Sequence, residues 1–401
     1  MAGLAGLALK KGFKVTGQDK SYFSPMSDQL RSLGIQENKT EKPISDLKKS
    51  DAVVIGNSQS RGNESVEYIL DNKLNYFSAP EWIKENILKD KYVFVVSGTH
   101  GKTTTTSMLI KILQENDKNP SFLVGGIIRE ENISYKYTNS DYFIIEGDEY
   151  DTSFFDKRSK FFHFKPNTLI INNLEYDHSD IFENLDQIKK QFHFLIRTMP
   201  SDYNIVYNGN DQNILDLLEM GCWAKKTQYK KINNISSIFG DHNLKNASAA
   251  ITAASLIGIE EKNSLKALKK FSGVKRRLEL IKNKKFVVYD DFAHHPTAIS
   301  SSIQAVKSIH PEKNIAVIFE IRSNSMISGT HKKTFINSFL DINELYIYCP
   351  KEITWLDEKP NVEVYKNIEQ IIQKLNDNID NVDIVIVMSN GDTSSIIKQL
   401  K

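Results

Sequence analysis

Cysteine is nearly absent from this 401-residue chain, with Cys222 and Cys349 the only two. Two cysteines cannot build a disulfide framework, and no Cys/His spacing matches a zinc site, so a reducing, cytoplasmic setting is expected. Charge of one sign is also lacking. Lys and Arg number 52 against 50 Asp and Glu, a formal balance of +2. That is too even for a protein that works on nucleic acid or at an anionic membrane surface. Long hydrophobic runs are missing as well. Stretches such as Ile384–Met388 have the length of a buried strand, far below the roughly 18–20 residues of a spanning helix. The opening MAGLAGLALKK carries its positive charges after the apolar stretch, the reverse of a secretion signal. Pro/Ser-rich linkers and internal repeats are absent too, so domain boundaries are soft.

What is present is an ordinary globular composition. Apolar residues at 40% supply enough surface for cores, which excludes a wholly disordered chain. At about 100–200 residues per domain, the length predicts two to four domains. Helix and strand patterns alternate from the start: a helix over 2–11, a strand over 12–19, a helix over 26–34 and a buried strand over 51–57. Such alternation predicts an α/β fold with parallel sheets. A dinucleotide-type unit normally opens with a strand and a glycine turn before its first helix. This chain opens in the helix, so the expectation is a Rossmann-like N-terminal unit whose first strand is missing by truncation. A second unit begins with a strand over 91–97, then GTHGKTTTT, then a helix through Gln114. Further strands are predicted over 142–146, 168–172 and 204–207, with a helix over 241–257. A third unit follows, with strands over 285–290, 315–319, 344–348 and 383–388. The predicted domains are 1–88, 89–281 and 282–401.

The run Gly98-Thr99-His100-Gly101-Lys102-Thr103-Thr104 sits between a strand and a helix, as a phosphate-binding loop must. Glycines let backbone N–H groups converge on phosphate oxygens, and the helix N-terminus adds its positive dipole end. Lys102 supplies a point charge and Thr103 a hydroxyl for Mg²⁺. The spacing departs from the common form, because Val96 stands where that form has its first glycine. A plain glycine-rich turn is the alternative reading.

Three polar runs each follow a predicted strand, at the end where open α/β sheets bind ligands. Glu146-Gly147-Asp148-Glu149-Tyr150-Asp151 clusters carboxylates, which is costly without a cation, and Glu146 is the expected metal ligand. A solvated acidic loop is the alternative. Asn172-Asn173-Leu174-Glu175-Tyr176-Asp177-His178 ends in a histidine suited to metal or phosphate. Asp290-Asp291-Phe292-Ala293-His294-His295 lies downstream of Lys275-Arg276-Arg277, where arginine can clamp phosphate and aspartate can hold a ribose. The adjacent histidines make a poor zinc pair, since neighbours in sequence rarely point at one ion.

Taken in order, GTHGKTTTT, EGDEYD, NNLEYDHSD, FGDHNLKNASAA, GVKRR and DDFAHHPTAI resemble the Mur ligase family, which builds the peptide stem of bacterial cell-wall precursors. The resemblance spans nearly the whole chain. SRGNESVEYIL, FSGVKRRLEL, IRSNSM and HKKTF resemble the branch that joins UDP-N-acetylmuramate to the tripeptide L-alanyl-γ-D-glutamyl-meso-diaminopimelate. The resemblance implies a three-domain architecture: a Rossmann-like sugar-binding unit, a central ATPase-like unit and a C-terminal Rossmann-like unit for the amino substrate. It implies ATP and Mg²⁺ as cofactors and small-molecule substrates, with no nucleic acid or membrane partner and a monomer or weak homo-oligomer. It further implies that Lys102 and His178 are catalytic and that Thr103, Glu146 and His178 serve metal. His242 and Asn243 would face adenine, Asp291 the ribose, and Arg277 and His294 the phosphates. Arg322, Ser323 and Asn324 would read the amino substrate. The family more often has alanine where Gly147 stands. A ligase for L-alanine alone, the folylpolyglutamate branch and an inactive nucleotide-binding relative are the alternatives.

Overall fold

The computed structural model describes residues 1–23, 26–283, 286–357 and 363–400. They form two compact units. The first takes in 1–176, 184–231 and 246–271; the second takes in 177–183, 232–245 and 272–401.

The first unit is built on a seven-stranded sheet. Its order is Lys225–Gln228, Asn204–Tyr207, Thr168–Ile171, Tyr92–Ser97, Tyr142–Glu146, Ser121–Ile128 and Ile133–Lys136. Every pairing is parallel except the last. The central strand reads YVFVVS and is apolar throughout because both of its faces are covered, as a parallel sheet requires; Phe94, Val95 and Val96 are fully buried. Helix Lys102–Glu115 follows at once and packs Met108, Leu109, Ile112 and Leu113 inward. The chain next returns as Ser121–Ile128, beyond Tyr142–Glu146, whereas Thr168–Ile171 lies on the other side of the central strand. The strand order therefore switches direction beside the carboxyl end of Tyr92–Ser97, the place where such sheets open a crevice.

Near the N-terminus, helix Ala2–Lys10 buries Leu4, Leu7 and Ala8. The strand expected over 12–19 is reduced to Gln18–Asp19, paired in parallel with Asn38–Lys39. A strand extends only as far as its partner does, and this partner is two residues long. The expected buried strand over 51–57 is Val53–Ile55, paired in parallel with Tyr76–Ser78.

The second unit carries a six-stranded sheet in the order Glu279–Asn283, Val287–Asp291, Ile384–Met388, Ile315–Glu320, Glu344–Tyr348 and Val364–Tyr365. Only the first pairing is antiparallel. The strand expected to start at Lys285 is described from Val287; Lys285 lies outside the described residues. Alternation sorts the side chains cleanly. Ile315, Val317 and Phe319 join one core with Ile384 and Ile386, while Ala316 and Ile318 join the opposite core with Val385 and Val387.

Candidate active site

In the first unit, three strand ends lie side by side at the switch point, and each releases a polar run. Ser97 leads into the glycine loop, Glu146 into the acidic run and Ile171 into Asn172–Glu175. The loop is tied to the third run. Thr99 N donates to Asn173 O at 3.2 Å, His100 N to Asn173 Oδ1 at 2.7 Å, and Glu175 N to Thr99 Oγ1 at 2.8 Å. Gly101 caps the helix at φ +80°, and a Cβ there would meet Asn246 Oδ1 at 2.4 Å. Only glycine meets both demands. Buried Asn172 donates from Nδ2 to Thr105 Oγ1 at 2.8 Å, fixing the first turn from behind. Thr104 is half-buried on that turn.

Lys102 Nζ donates to Gly98 O at 2.7 Å and pairs with Glu149 at 2.8 Å. Burial alone would lower the ammonium's pKa, but Glu149, Asp148 and Glu146 outweigh it and the net shift is upward. Lys102 is therefore a full positive charge. Thr103 Oγ1 donates to Glu146 Oε2 at 3.1 Å, and Glu146 Oε1 accepts Gly125 N at 2.7 Å. The remaining carboxylates are divided among lysines, Asp148 going to Lys160 and Asp151 to Lys157, each at 2.6 Å. Lysines thus supply much of the compensation that the acidic run was expected to draw from a cation. The hydroxyl of Thr103 and the carboxylate of Glu146 form a hard-oxygen pair, the donor chemistry that suits Mg²⁺. Gly147 is held where a Cβ would meet Ser97 Oγ at 2.1 Å and Val95 Cγ1 at 2.6 Å. In this chain, glycine at that position follows from the serine before the loop.

The second unit holds the other expected residues, and Asp291, His294 and Arg322 stand at or just beyond the carboxyl ends of its own strands. His178 sits at φ +58°, and its N–H donates to Asp177 Oδ1 at 2.7 Å. Burial alone would raise the pKa of Asp177; His178, His295 and His294 pull it down to about 2. His242 and Asn243 begin helix Asp241–Ser255, and Asn243 Nδ2 donates to Phe239 O at 3.0 Å. Asp291 is buried. Its oxygens accept from Leu278 N, Ala293 N and Ser302 Oγ, which ties the Arg277 loop to the sheet. The Arg277 guanidinium lies 4.8 Å over the Phe292 ring. His294 Nδ1 donates to Phe292 O at 2.9 Å, whereas His295 Nδ1 accepts Thr297 N at a helix start. The neighbouring histidines do different jobs. Ser323 precedes the short helix Asn324–Ile327 without a side-chain capping bond, and Asn324 Nδ2 donates to Asp180 at 3.2 Å.

Sequence reasoning passed over the run Ser389-Asn390-Gly391-Asp392. It follows strand Ile384–Met388 as the other polar runs follow theirs, so the same signal could have found it. Arg322 lies across Gly391, where a Cβ would meet Arg322 Cδ at 2.7 Å, and faces Glu320 at 3.6 Å. Ser389 Oγ also bonds Glu320. The structure thus groups Gly98–Thr104 with Glu146 in one unit. In the other it gathers His178, Arg277, Asp291 and His294, and separately Arg322 with Glu320 and Gly391.

Three family descriptions match consecutive segments: "Mur ligase family, catalytic domain" over residues 1–91, "Mur ligase middle domain" over 96–232, and "Mur ligase, glutamate ligase domain" over 276–391. A UDP-N-acetylmuramate–L-alanyl-γ-D-glutamyl-meso-2,6-diaminoheptandioate ligase of Haemophilus influenzae is 37% identical over 435 aligned positions, covering all of this chain and 96% of that protein. The chain belongs to the Mur ligase family. An Escherichia coli ligase of the same description is 39% identical, over 88% of this chain and 84% of its own length. Among solved structures, a murein peptide ligase from Psychrobacter arcticus superposes with a TM-score of 0.75 at 33% identity, covering 100% of this chain and 95% of that one. Within the Mur ligase frame, the glycine loop lies in the middle-domain segment and the Arg277, Asp291 and Arg322 groups lie in the glutamate-ligase segment. Among the described residues, no helix of this Mur ligase is long and apolar enough to cross a membrane.

Proposed function

We propose that this Mur ligase joins UDP-N-acetylmuramate to L-alanyl-γ-D-glutamyl-meso-diaminopimelate at the expense of ATP. The observation that carries this reading is 37–39% identity, over most of the chain, to ligases named for that reaction. The glycine loop supports it, with a charged Lys102 at its mouth and Thr103 beside Glu146. In this reading the sugar's carboxylate attacks the γ-phosphate of ATP, ADP leaves as the β–γ bond breaks, and an acyl phosphate results. The amine of the tripeptide's L-alanine attacks the acyl carbon, and phosphate leaves. The physical obstacle is the approach of two anions. Lys102 offsets part of that repulsion as its ammonium turns from Glu149 toward phosphate. Thr103 and Glu146 would hold one Mg²⁺ and His178 would serve a second, each ion supplying further charge neutralisation.

The remaining assignments follow the same reading. His242 and Asn243 serve adenine, Asp291 the ribose, and Arg277 and His294 the phosphates. Arg322, Ser323 and Asn324 serve the amino substrate, with Arg322 aimed by Glu320 and Gly391. Residues 1–88 take the UDP-sugar, 89–281 the ATP and 282–401 the peptide. The protein works in the cytoplasm, where its substrates are supplied, as a monomer or weak homo-oligomer. The test is phosphate release with UDP-N-acetylmuramate and either tripeptide or L-alanine, with the product identified by mass. Turnover with tripeptide is expected; turnover with L-alanine alone would replace this reading with the L-alanine ligase.

A further inference from the structure

Beside the Arg322–Asn324 segment, the second unit holds a half-open cavity of about 360 Å³, lined by Ile327, Ser328, Gly329, Lys332, Glu352, Ile353, Thr354 and Trp355. That volume falls in the roughly 300–1,000 Å³ range of small-molecule sites. Its wall is rigid. The Trp355 indole is buried, donates from Nε1 to Met326 O at 3.1 Å and to Ile327 O at 3.3 Å, and meets Phe335 edge-on at 5.4 Å. Ile353 is buried beside it. The mouth has a different character. Lys332 and Glu352 are exposed, and among the described residues neither side chain makes an ion pair. One cavity therefore offers an ammonium, a carboxylate and a small apolar patch beside the Ser328 and Thr354 hydroxyls.

This combination matches an α-amino acid zwitterion carried on a short alkyl chain. Its carboxylate would meet Lys332, its ammonium Glu352, and its methylenes Ile353 and Trp355. The third residue of the tripeptide ends in such a group, whereas L-alanine does not extend beyond its own carboxylate. Reach is compatible. Helix Asn324–Ile327 leads from the Arg322 segment to the cavity, and at about 1.5 Å per residue its far end lies roughly 7 Å along the axis from Arg322. An extended peptide covers about 3.3–3.6 Å per residue, so three residues and a side chain span that distance.

Resting on the ligase reading above, we propose that this cavity binds the distal amino-acid end of the peptide's diaminopimelate, with Lys332 and Glu352 setting the preference for it. The experiment uses the full chain and three acceptors: the diaminopimelate tripeptide, its L-lysine counterpart, which keeps the distal amine but lacks the distal carboxylate, and the dipeptide L-alanyl-γ-D-glutamate. Lys332→Ala should lower kcat/KM for the diaminopimelate tripeptide by about 10–100-fold, mainly through KM, and leave the other two acceptors nearly unchanged. Glu352→Gln should weaken both tripeptides and spare the dipeptide. Equal losses on all three acceptors, or unchanged kcat/KM for the diaminopimelate tripeptide in both variants, would overturn the inference while the ligase reading stands. Wild-type protein that ligates none of the three would remove the ligase reading and this inference with it.

Discussion

Gly147→Ala is the substitution whose consequence the structure defines most closely. Here the new methyl would sit 2.1 Å from Ser97 Oγ, 2.6 Å from Val95 Cγ1 and 3.2 Å from Phe161 Cβ. More than an ångström of room is missing against the first, and all three neighbours are buried in or beside the central sheet. Overpacking of this kind costs about 1–3 kcal/mol, so the melting midpoint should fall by roughly 3–10 °C. Activity should fall further than stability. Glu146 is the adjoining residue, and a displacement of about 1 Å in a positioned group can cost about 100-fold in rate. Ser97→Ala removes the closest clash. Alone it should be near-neutral, because Ser97 Oγ is buried and has no hydrogen-bond partner among the described residues. In the double variant it should recover part of both losses, with a coupling of about 0.5–3 kcal/mol in the melting series. Thermal unfolding and phosphate release on the four proteins decide the matter. A Gly147→Ala protein as stable as the parent, or a Ser97→Ala background that gives no recovery, refutes the packing argument.

Other expectations are simpler. Lys102→Ala should reduce phosphate release by at least about 100-fold with the circular dichroism spectrum unchanged; retained turnover would remove Lys102 from the chemistry. Glu149→Gln takes away the carboxylate that holds Lys102 at 2.8 Å, so the lysine's pKa should drop and ATP-dependent turnover should lose its plateau at alkaline pH first. An unaltered pH profile would count against that pairing. In the first unit, His163 has its pKa lowered by burial, and Asp156 is held low because Arg158 and His163 outweigh its own burial. Both shifts act in one direction. The stability they contribute is present above the ordinary histidine and aspartate values and is lost as the pH falls, first below about 6.5 and then below about 3.9. His163→Gln should therefore flatten the decline in melting temperature between neutral and mildly acidic pH; an unchanged slope would argue that His163 titrates normally. Trp355→Phe should loosen the end of helix Asn324–Ile327 by roughly 1 kcal/mol through loss of the indole donor, read as a lower unfolding midpoint in denaturant.

Much of the candidate site is legible from residue order because it is local. A strand, a glycine loop and a helix are contiguous, so Gly98–Thr104 announces its own geometry. The same holds for the strands Tyr142–Glu146, Asn204–Tyr207 and Glu344–Tyr348, whose apolar runs define their bounds. Pairing across the chain is not legible in that way. The stretch over 12–19 has strand composition but forms only two residues of strand, because a distant partner, Asn38–Lys39, sets its length. Nor could spacing reveal that Lys102 is held by Glu149, that Asn246 closes against Gly101, or that Arg322 lies on Gly391. Each of these joins segments 47 to 145 residues apart, and only the folded sheets bring them together. Local pattern determined the loops and the elements that carry them; tertiary structure decided which charge meets which, because electrostatic contacts depend on distances in space that no spacing along the chain encodes.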